Sequence, residues 1–147
     1  MRLTEHFQLS EFTRSSTADK YGFKNIPSET QISNLKALCE NVLEPLRQHF
    51  NVPIIIGSGY RCPQVNNHPD VRGATNSQHM TGEAADIHLK SIEEGKQWYT
   101  WIMDNYTFDQ LIWEHESKTS NHYWINVSCK RDITKNRHQV KSILKYT

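Results

Sequence analysis

Between positions 28 and 50, apolar side chains recur at three- and four-residue steps: Ile32, Leu35, Leu38, Val42, Leu46 and Phe50. That spacing predicts an amphipathic helix, opened by a capping box of Ser28 and Gln31. Pro45 falls inside it and predicts a kink or a break. The pattern then changes. "VPIIIGSGY" is a short apolar run ending in a glycine turn, which predicts a buried strand. Residues 61–78 hold Pro63, Pro69, Gly73 and several Asn, which predicts a long loop of the kind that carries function or moves. "AADIHLK" predicts a second strand, and "SIEEGKQWYTWIMDN" a helix begun by Ser91 and Glu94. "FDQLIWEH", "HYWINVSC" and "QVKSILKY" predict three more strands. Residues 1–27 read as irregular, with short helical possibilities around Leu9–Phe12. Strands gathered late, after a long helix, imply an α+β domain with a small antiparallel sheet and flanking helices.

Size and composition fit that picture. A chain of 147 residues, 36% hydrophobic and 22% charged, suits one soluble domain over residues 1–147 with a real core. Seventeen basic residues nearly balance sixteen acidic ones, for a formal charge of +1, which argues against a large nucleic-acid footprint. Lys130, Arg131, Lys135, Arg137, Lys141 and Lys145 lean toward the C-terminus and read as a solvated edge. Cys39, Cys62 and Cys129 are odd in number and lack a CxxC spacing, so neither a disulfide framework nor a cysteine-rich zinc site is expected. No apolar run approaches the ~20 residues of a membrane span. "MRLTEHFQLSEF" shows no apolar signal region, so the expectation is a chain made in the cytoplasm.

Candidate chemistry centres on "SQHMTGEAADIH". His79 sits at the loop end, Gly82 permits a sharp return, and Asp86 follows on the predicted strand. Imidazole and carboxylate are good zinc ligands, and catalytic zinc keeps three protein ligands plus a water. A lone His/Asp pair is by itself more often a hydrogen-bonded structural contact than a metal site.

The wider context sharpens the reading. "SGYRCPQVN" followed by "SQHMTGEAADI" closely resembles the peptidase M15 family of D-alanyl-D-alanine carboxypeptidase-like zinc enzymes. Ser77, His79, Gly82, Ala84 and Asp86 match its S-x-H-x-x-G-x-A-x-D pattern. "FQLSEFTRS", "LKALCENVLEPLR" and "FDQLIWE…WINVS…NRHQV" resemble the same branch, so the similarity spans nearly the whole chain. The resemblance implies a Hedgehog/DD-peptidase-like α+β fold and zinc-dependent hydrolysis of a murein peptide bond by a monomer. It also implies action at the cell wall, after lysin-like release or export by other means. His79 and Asp86 would hold zinc. Arg61 would anchor substrate or a developing oxyanion through its two-pronged guanidinium. Ser77, Tyr60 and Trp124 would line the peptide site.

The family's third ligand is a histidine in a W-x-H segment, and here that position is Asn126. A neutral amide oxygen is a poor zinc ligand beside imidazole. Three explanations stand. Another histidine substitutes, from His88, His115 or His122; His88 lies two residues beyond Asp86 on the same strand face, about 6.6 Å away. Alternatively, the chain is a member that keeps the cleft and binds wall peptide or a partner without cutting. Or the asparagine is an engineered ligand replacement. The acidic residue that the family places three positions earlier is Tyr123 here, which leaves Glu114 as the candidate general base, ahead of Glu83 and Glu116. Trp98, Trp101 and Trp113 read as core residues, and His6, His49, His68 and His138 as surface or locally bonded.

Overall fold

The 28–50 pattern forms one long helical column with a defect in the middle. In the computed structural model, which describes residues 1–117 and 119–144, α3 (Glu29–Leu38) runs into a π-turn (Cys39–Leu43) and on into α4 (Glu44–Phe50). Ser28 and Gln31 close the capping box at its start. Pro45 explains the defect. Its ring cannot follow a regular α-helical turn, and it has no N–H to give. The π-turn absorbs the misfit: the Glu44 N–H bonds Cys39 O, five residues back, and Pro45 then opens the next helix. The column neither breaks nor bends freely; it carries one widened turn.

Five strands form the main sheet in the order β3 (Ile56–Ser58), β4 (Ala84–His88), β6 (Tyr123–Ser128), β5 (Gln110–His115), β7 (Gln139–Leu144). The fold is α+β, as the pattern predicts. The sheet is not wholly antiparallel, however. β7 runs parallel to β5, in register from Gln110↔Gln139 to His115↔Leu144. The reason is that β5 and β6 already pair as a hairpin, so β7 can only reach the free edge of β5. It does so after a 3₁₀ turn (Ile133–Lys135). Lys145 and Tyr146 of the predicted last strand lie outside the described residues.

Other expectations shift. The strand predicted from Val52 is a ladder only over Ile56–Ser58. The loop 61–78 contains one helical turn, α5 (Pro63–Asn66). The N-terminal region is more ordered than its pattern suggests. It holds a small hairpin of β1 (Arg2–Thr4) and β2 (Phe7–Gln8), then α1 (Ser10–Thr13) and α2 (Ser16–Tyr21). Strands of two and three residues are too short to show alternation.

One core joins these pieces. Leu35, Leu38, Val42 and Leu46 of the helical column are fully buried with Phe7 and Phe12 of the N-terminal segment. The same cluster takes in Ile87, Leu111, Ile125 and Val127 from one face of the sheet, and Trp98 and Ile102 from α6 (Ile92–Asn105). The free cysteines Cys39, Cys62 and Cys129 are all buried, and burial pushes the Cys39 thiol far up its titration scale. Among the described residues, no helix is long and apolar enough to cross a membrane. The other face of the sheet is left for chemistry.

Candidate metal centre

Cross-strand registry organises that face. Asp86 on β4 pairs with Asn126 on β6, Asn126 with Ile112 on β5, and Ile112 with Lys141 on β7. Side chains paired directly across a sheet point to the same side. One transverse row therefore reads Asp86, Asn126, Ile112, Lys141. The adjacent row reads His88, Trp124, Glu114, Ile143. A cleft of about 850 Å³ opens over Asn126, Ile112, Lys141, Glu114 and Ile143 of these rows, with His79 also in its lining, while Asp86, His88 and Trp124 line a smaller cavity beside it.

His79 reaches the face from the preceding loop. The Arg61 N–H bonds the His79 carbonyl at 3.0 Å, and the His79 N–H bonds Ser77 Oγ at 3.2 Å. Gly82 then turns the chain into β4. It has φ +78°, and a Cβ there would lie 2.5 Å from the Gln31 carbonyl oxygen at the start of α3. Both facts call for glycine.

The His79 ring is 3% exposed. Its Nδ1 lies 2.7 Å from the Gly59 carbonyl oxygen. A carbonyl only accepts, so Nδ1 donates and Nε2 is the ring nitrogen turned toward the cleft side of the loop. That Nε2 is buried, has no hydrogen-bond partner, and faces Asp86 Oδ1 at 3.3 Å. A buried ring nitrogen without a partner is costly unless something else fills the place. A backbone carbonyl on the far nitrogen is also how metal-binding histidines are commonly oriented.

Asp86 is held in turn. Arg61 NH2 donates to its Oδ2 at 3.2 Å, while Arg61 Nε donates to Ser58 Oγ at 3.0 Å and NH1 to Asn66 Oδ1 at 3.3 Å. Arg61 is thus 8% exposed, with one of its three side-chain bonds holding Asp86 and the other two anchoring it to Ser58 and Asn66. Across the row, the Asn126 amide donates from Nδ2 to Glu114 Oε1 at 3.2 Å. This leaves Oδ1 as the end of the amide available to a cation. Metal-binding chemistry therefore finds an imidazole nitrogen and a carboxylate well suited to zinc, and an amide as a weaker third donor.

The remaining predicted residues fall as follows. Ser77 caps the turn before His79. Tyr60 is 5% exposed within the core, its hydroxyl pushed up by burial, and it does not line the cleft. Trp124 walls a smaller cavity of about 250 Å³ with His88, His122 and Asp86, and its buried indole Nε1 has no hydrogen-bond partner. Tyr123 stacks on His115 at 4.2 Å between ring centres and packs toward Trp113, on the face away from the cleft. Glu114, by contrast, lines the cleft beside Asn126.

The substitute histidines do not complete the set. Among the described residues, the only group of three His, Cys, Asp or Glu side chains close enough to share an ion is Glu5, His6 and Glu44. His115 Nε2 is bonded to the Ser120 carbonyl at 2.6 Å, and His122 Nδ1 to Glu116 Oε2 at 3.1 Å. The Glu5/His6/Glu44 group lies elsewhere, between the N-terminal hairpin and the π-turn. Both Glu44 oxygens are taken by His6, at 2.7 Å from its N–H and 2.6 Å from Nδ1. Burial alone would raise the Glu44 carboxyl, but these bonds outweigh it and hold it below the usual range. The group reads as a clasp for the hairpin.

Sequence reasoning also passed over Asp109. It is fully buried and takes the Arg137 backbone N–H at 3.0 Å, Arg137 Nε at 3.0 Å, Arg137 NH2 at 2.8 Å and Gln78 Nε2 at 2.9 Å. Gln78 adjoins His79, so Asp109 ties the His79 loop to the start of β5 and the approach to β7. Nothing in the hydrophobic pattern distinguishes this aspartate, which falls inside the predicted strand "FDQLIWEH".

A family model described as Peptidase M15 matches residues 5–122. The match takes in Arg61, His79, Asp86 and Glu114; β6 and β7, with Asn126 and Lys141, lie beyond it. No curated protein matches the chain.

Proposed function

This chain belongs to the peptidase M15 family, whose members are metallopeptidases of peptidoglycan-related substrates, and from that premise we propose that it is a zinc peptidase of murein peptides, impaired by Asn126. The observation that carries the reading is the His79 ring, fixed by Gly59 with Nε2 buried, without a hydrogen bond and facing Asp86. Zinc, when bound, supplies a polarised water of lowered pKa. His79 and Asp86 would hold it, with Asn126 Oδ1 as the weak third donor.

The other residues divide the work. Arg61 orients Asp86 and contributes to the cleft wall. Ser77 fixes the backbone of His79. Glu114 would take a proton from water and return it to the leaving amine. Its bond to Asn126 puts the proton acceptor beside the third donor. Trp124 walls the adjoining cavity where part of a peptide would lie. The protein would act as a monomer at the cell wall.

A specific observation also favours a second reading, a wall-peptide binding module without hydrolysis. The third donor is an amide, and position 123 carries a tyrosine packed away from the cleft. Murein hydrolysis separates the two. Purified walls are incubated with the parent and with Asn126→His, each with added zinc. The peptidase reading expects slow release of peptide by the parent and faster release by the variant. Binding of stem peptide with no release by either protein would establish the module instead.

A further inference from the structure

The loop between Arg61 and Ser77 is pinched at its base and fastened at its tip by different residues. At the base stands Asn66, fully buried. Its backbone carbonyl accepts the Gly73 N–H at 2.8 Å, and its side-chain Nδ2 donates to the Ala74 carbonyl at 2.9 Å. A Cβ at Gly73 would run into Asn66 Oδ1, so the pinch requires glycine. Residues 67–72 bulge out from it, with Asn67, Pro69, Asp70 and Arg72 exposed.

The tip is held from outside by Tyr21, the last residue of α2. The Tyr21 hydroxyl donates to Asp70 Oδ2 at 2.9 Å, and its ring lies against the His68 imidazole with 4.2 Å between centres. The Asp70 N–H donates to His68 Nδ1 at 3.1 Å, so the two residues that meet Tyr21 are also joined to each other. Such contacts at an exposed surface are individually weak, and a segment held by few of them opens more readily than the core beneath it.

What the tip carries gives the latch its consequence. Val71 lines the smaller cavity beside Asp86 and Trp124, Arg72 lines the cleft, and Arg61 lines both. The chain therefore crosses the boundary between the two spaces at the 71–72 step. Arg72 makes that step in the left-handed region, φ +52°, which a residue with a side chain seldom adopts unless its surroundings hold it there. The N–H groups of Val71 and Arg72 both bond the His68 carbonyl at 2.9 Å, so the position of His68 is passed to them through backbone.

We infer that residues 67–72 are a strap between the cleft and the smaller cavity, and that Tyr21 is a positioning residue holding the strap where a peptide lying across both spaces is gripped. This rests on the peptidase reading of the cleft and adds a requirement to it: peptide binding depends on a residue of α2 remote from the metal position. His79 and Asp86 are braced by the Gly59 carbonyl and Arg61, so releasing the latch leaves them in place.

Two readouts test it. Trypsin cuts after arginine, and the Arg72–Gly73 bond ends the strap. The rate of nicking there under native conditions, followed by mass spectrometry, reports opening of the strap without reference to any activity. Nicking should be about tenfold faster in Tyr21→Ala and about threefold faster in Tyr21→Phe, which keeps the ring. Asp70→Asn, which keeps an acceptor for the hydroxyl, should stay near the parent. The second readout is a labelled murein stem peptide with Asn126→His and added zinc. Adding Tyr21→Ala should weaken its binding about fivefold in fluorescence polarisation, the scale of one surface hydrogen bond. KM should rise by a similar factor, with kcat and zinc affinity unchanged. Equal nicking in the parent and Tyr21→Ala overturns the strap. Faster nicking with unchanged peptide affinity overturns the positioning role. So does a fall in zinc affinity or in urea stability that accompanies the peptide effect, because it marks Tyr21 as general support for the fold. Failure of the peptidase reading shows separately, as no hydrolysis by Asn126→His whatever stands at position 21.

Discussion

Asp109→Asn is the substitution that separates the brace of the His79 loop from the proposed ligands themselves. Burial would raise the Asp109 carboxyl, but donation from Arg137 and Gln78 wins and brings it to about 2. A carboxylate near 4 in the unfolded chain and about 2 in the folded one contributes about 2.5 kcal/mol when ionised. Arg137 is half exposed, so solvent screens the pair and the working figure is nearer 1–2 kcal/mol. The sign follows from the lowered folded value: the stabilisation is fully present above about pH 4 and is lost as pH falls through about 2. Asparagine keeps the shape, removes the charge and leaves Arg137 and Gln78 facing a weaker acceptor. Urea unfolding at pH 7 should show the variant about 1–2 kcal/mol less stable than the parent, with an unchanged m-value. At pH 3 the pH-dependent part of that gap should be about half as large. Zinc affinity at pH 7 should fall as well, because Gln78 adjoins His79. A stability gap that is the same at pH 7 and pH 3 would refute the reasoning.

Two further outcomes test the frame of the centre. Gly82→Ala combines a positive φ with a Cβ 2.5 Å from the Gln31 carbonyl oxygen. It should lower stability by about 1–3 kcal/mol in urea unfolding and weaken zinc binding along with it; a neutral result would mean the turn relaxes freely. Glu114→Gln, made together with Asn126→His, should retain zinc but lose roughly a hundredfold or more in murein hydrolysis. Full activity in that double variant would move the general base elsewhere.

The parts of the molecule with a periodic signal were legible in the sequence. The helical column follows from Ile32, Leu35, Leu38, Val42 and Leu46, and its defect from Pro45, although a widened turn rather than a plain kink is the outcome. The strands β4, β5 and β6 follow from alternation, and their pairing puts Asp86 opposite Asn126. The parallel placement of β7 was not legible, because strand direction is set by which sheet edge remains free and not by residues within the strand. The N-terminal hairpin was missed because strands of two and three residues have no period. His79 and Asp86 stood out by motif, and Gly82 by the turn it permits. The partners that make them a site did not: the Gly59 carbonyl, the Arg61 guanidinium on Asp86 and the Asp109 brace are contacts between segments distant in sequence. Of the substitute histidines only His88 looked reachable by count along a strand, and His115 and His122 are engaged in the β5–β6 hairpin.

The central claim is that His79, Asp86 and position 126 frame one metal site, with Asn126 as its weak member. Zinc titration against a competing chelator tests it most directly, on the parent, Asn126→His, and Asn126→His with His79→Ala. The account predicts one zinc per chain in Asn126→His, bound roughly a hundredfold more tightly than by the parent, about 2.7 kcal/mol, and loss of that gain when His79 is removed. Equal zinc affinity in the parent and Asn126→His, or a gain that survives without His79, would contradict it.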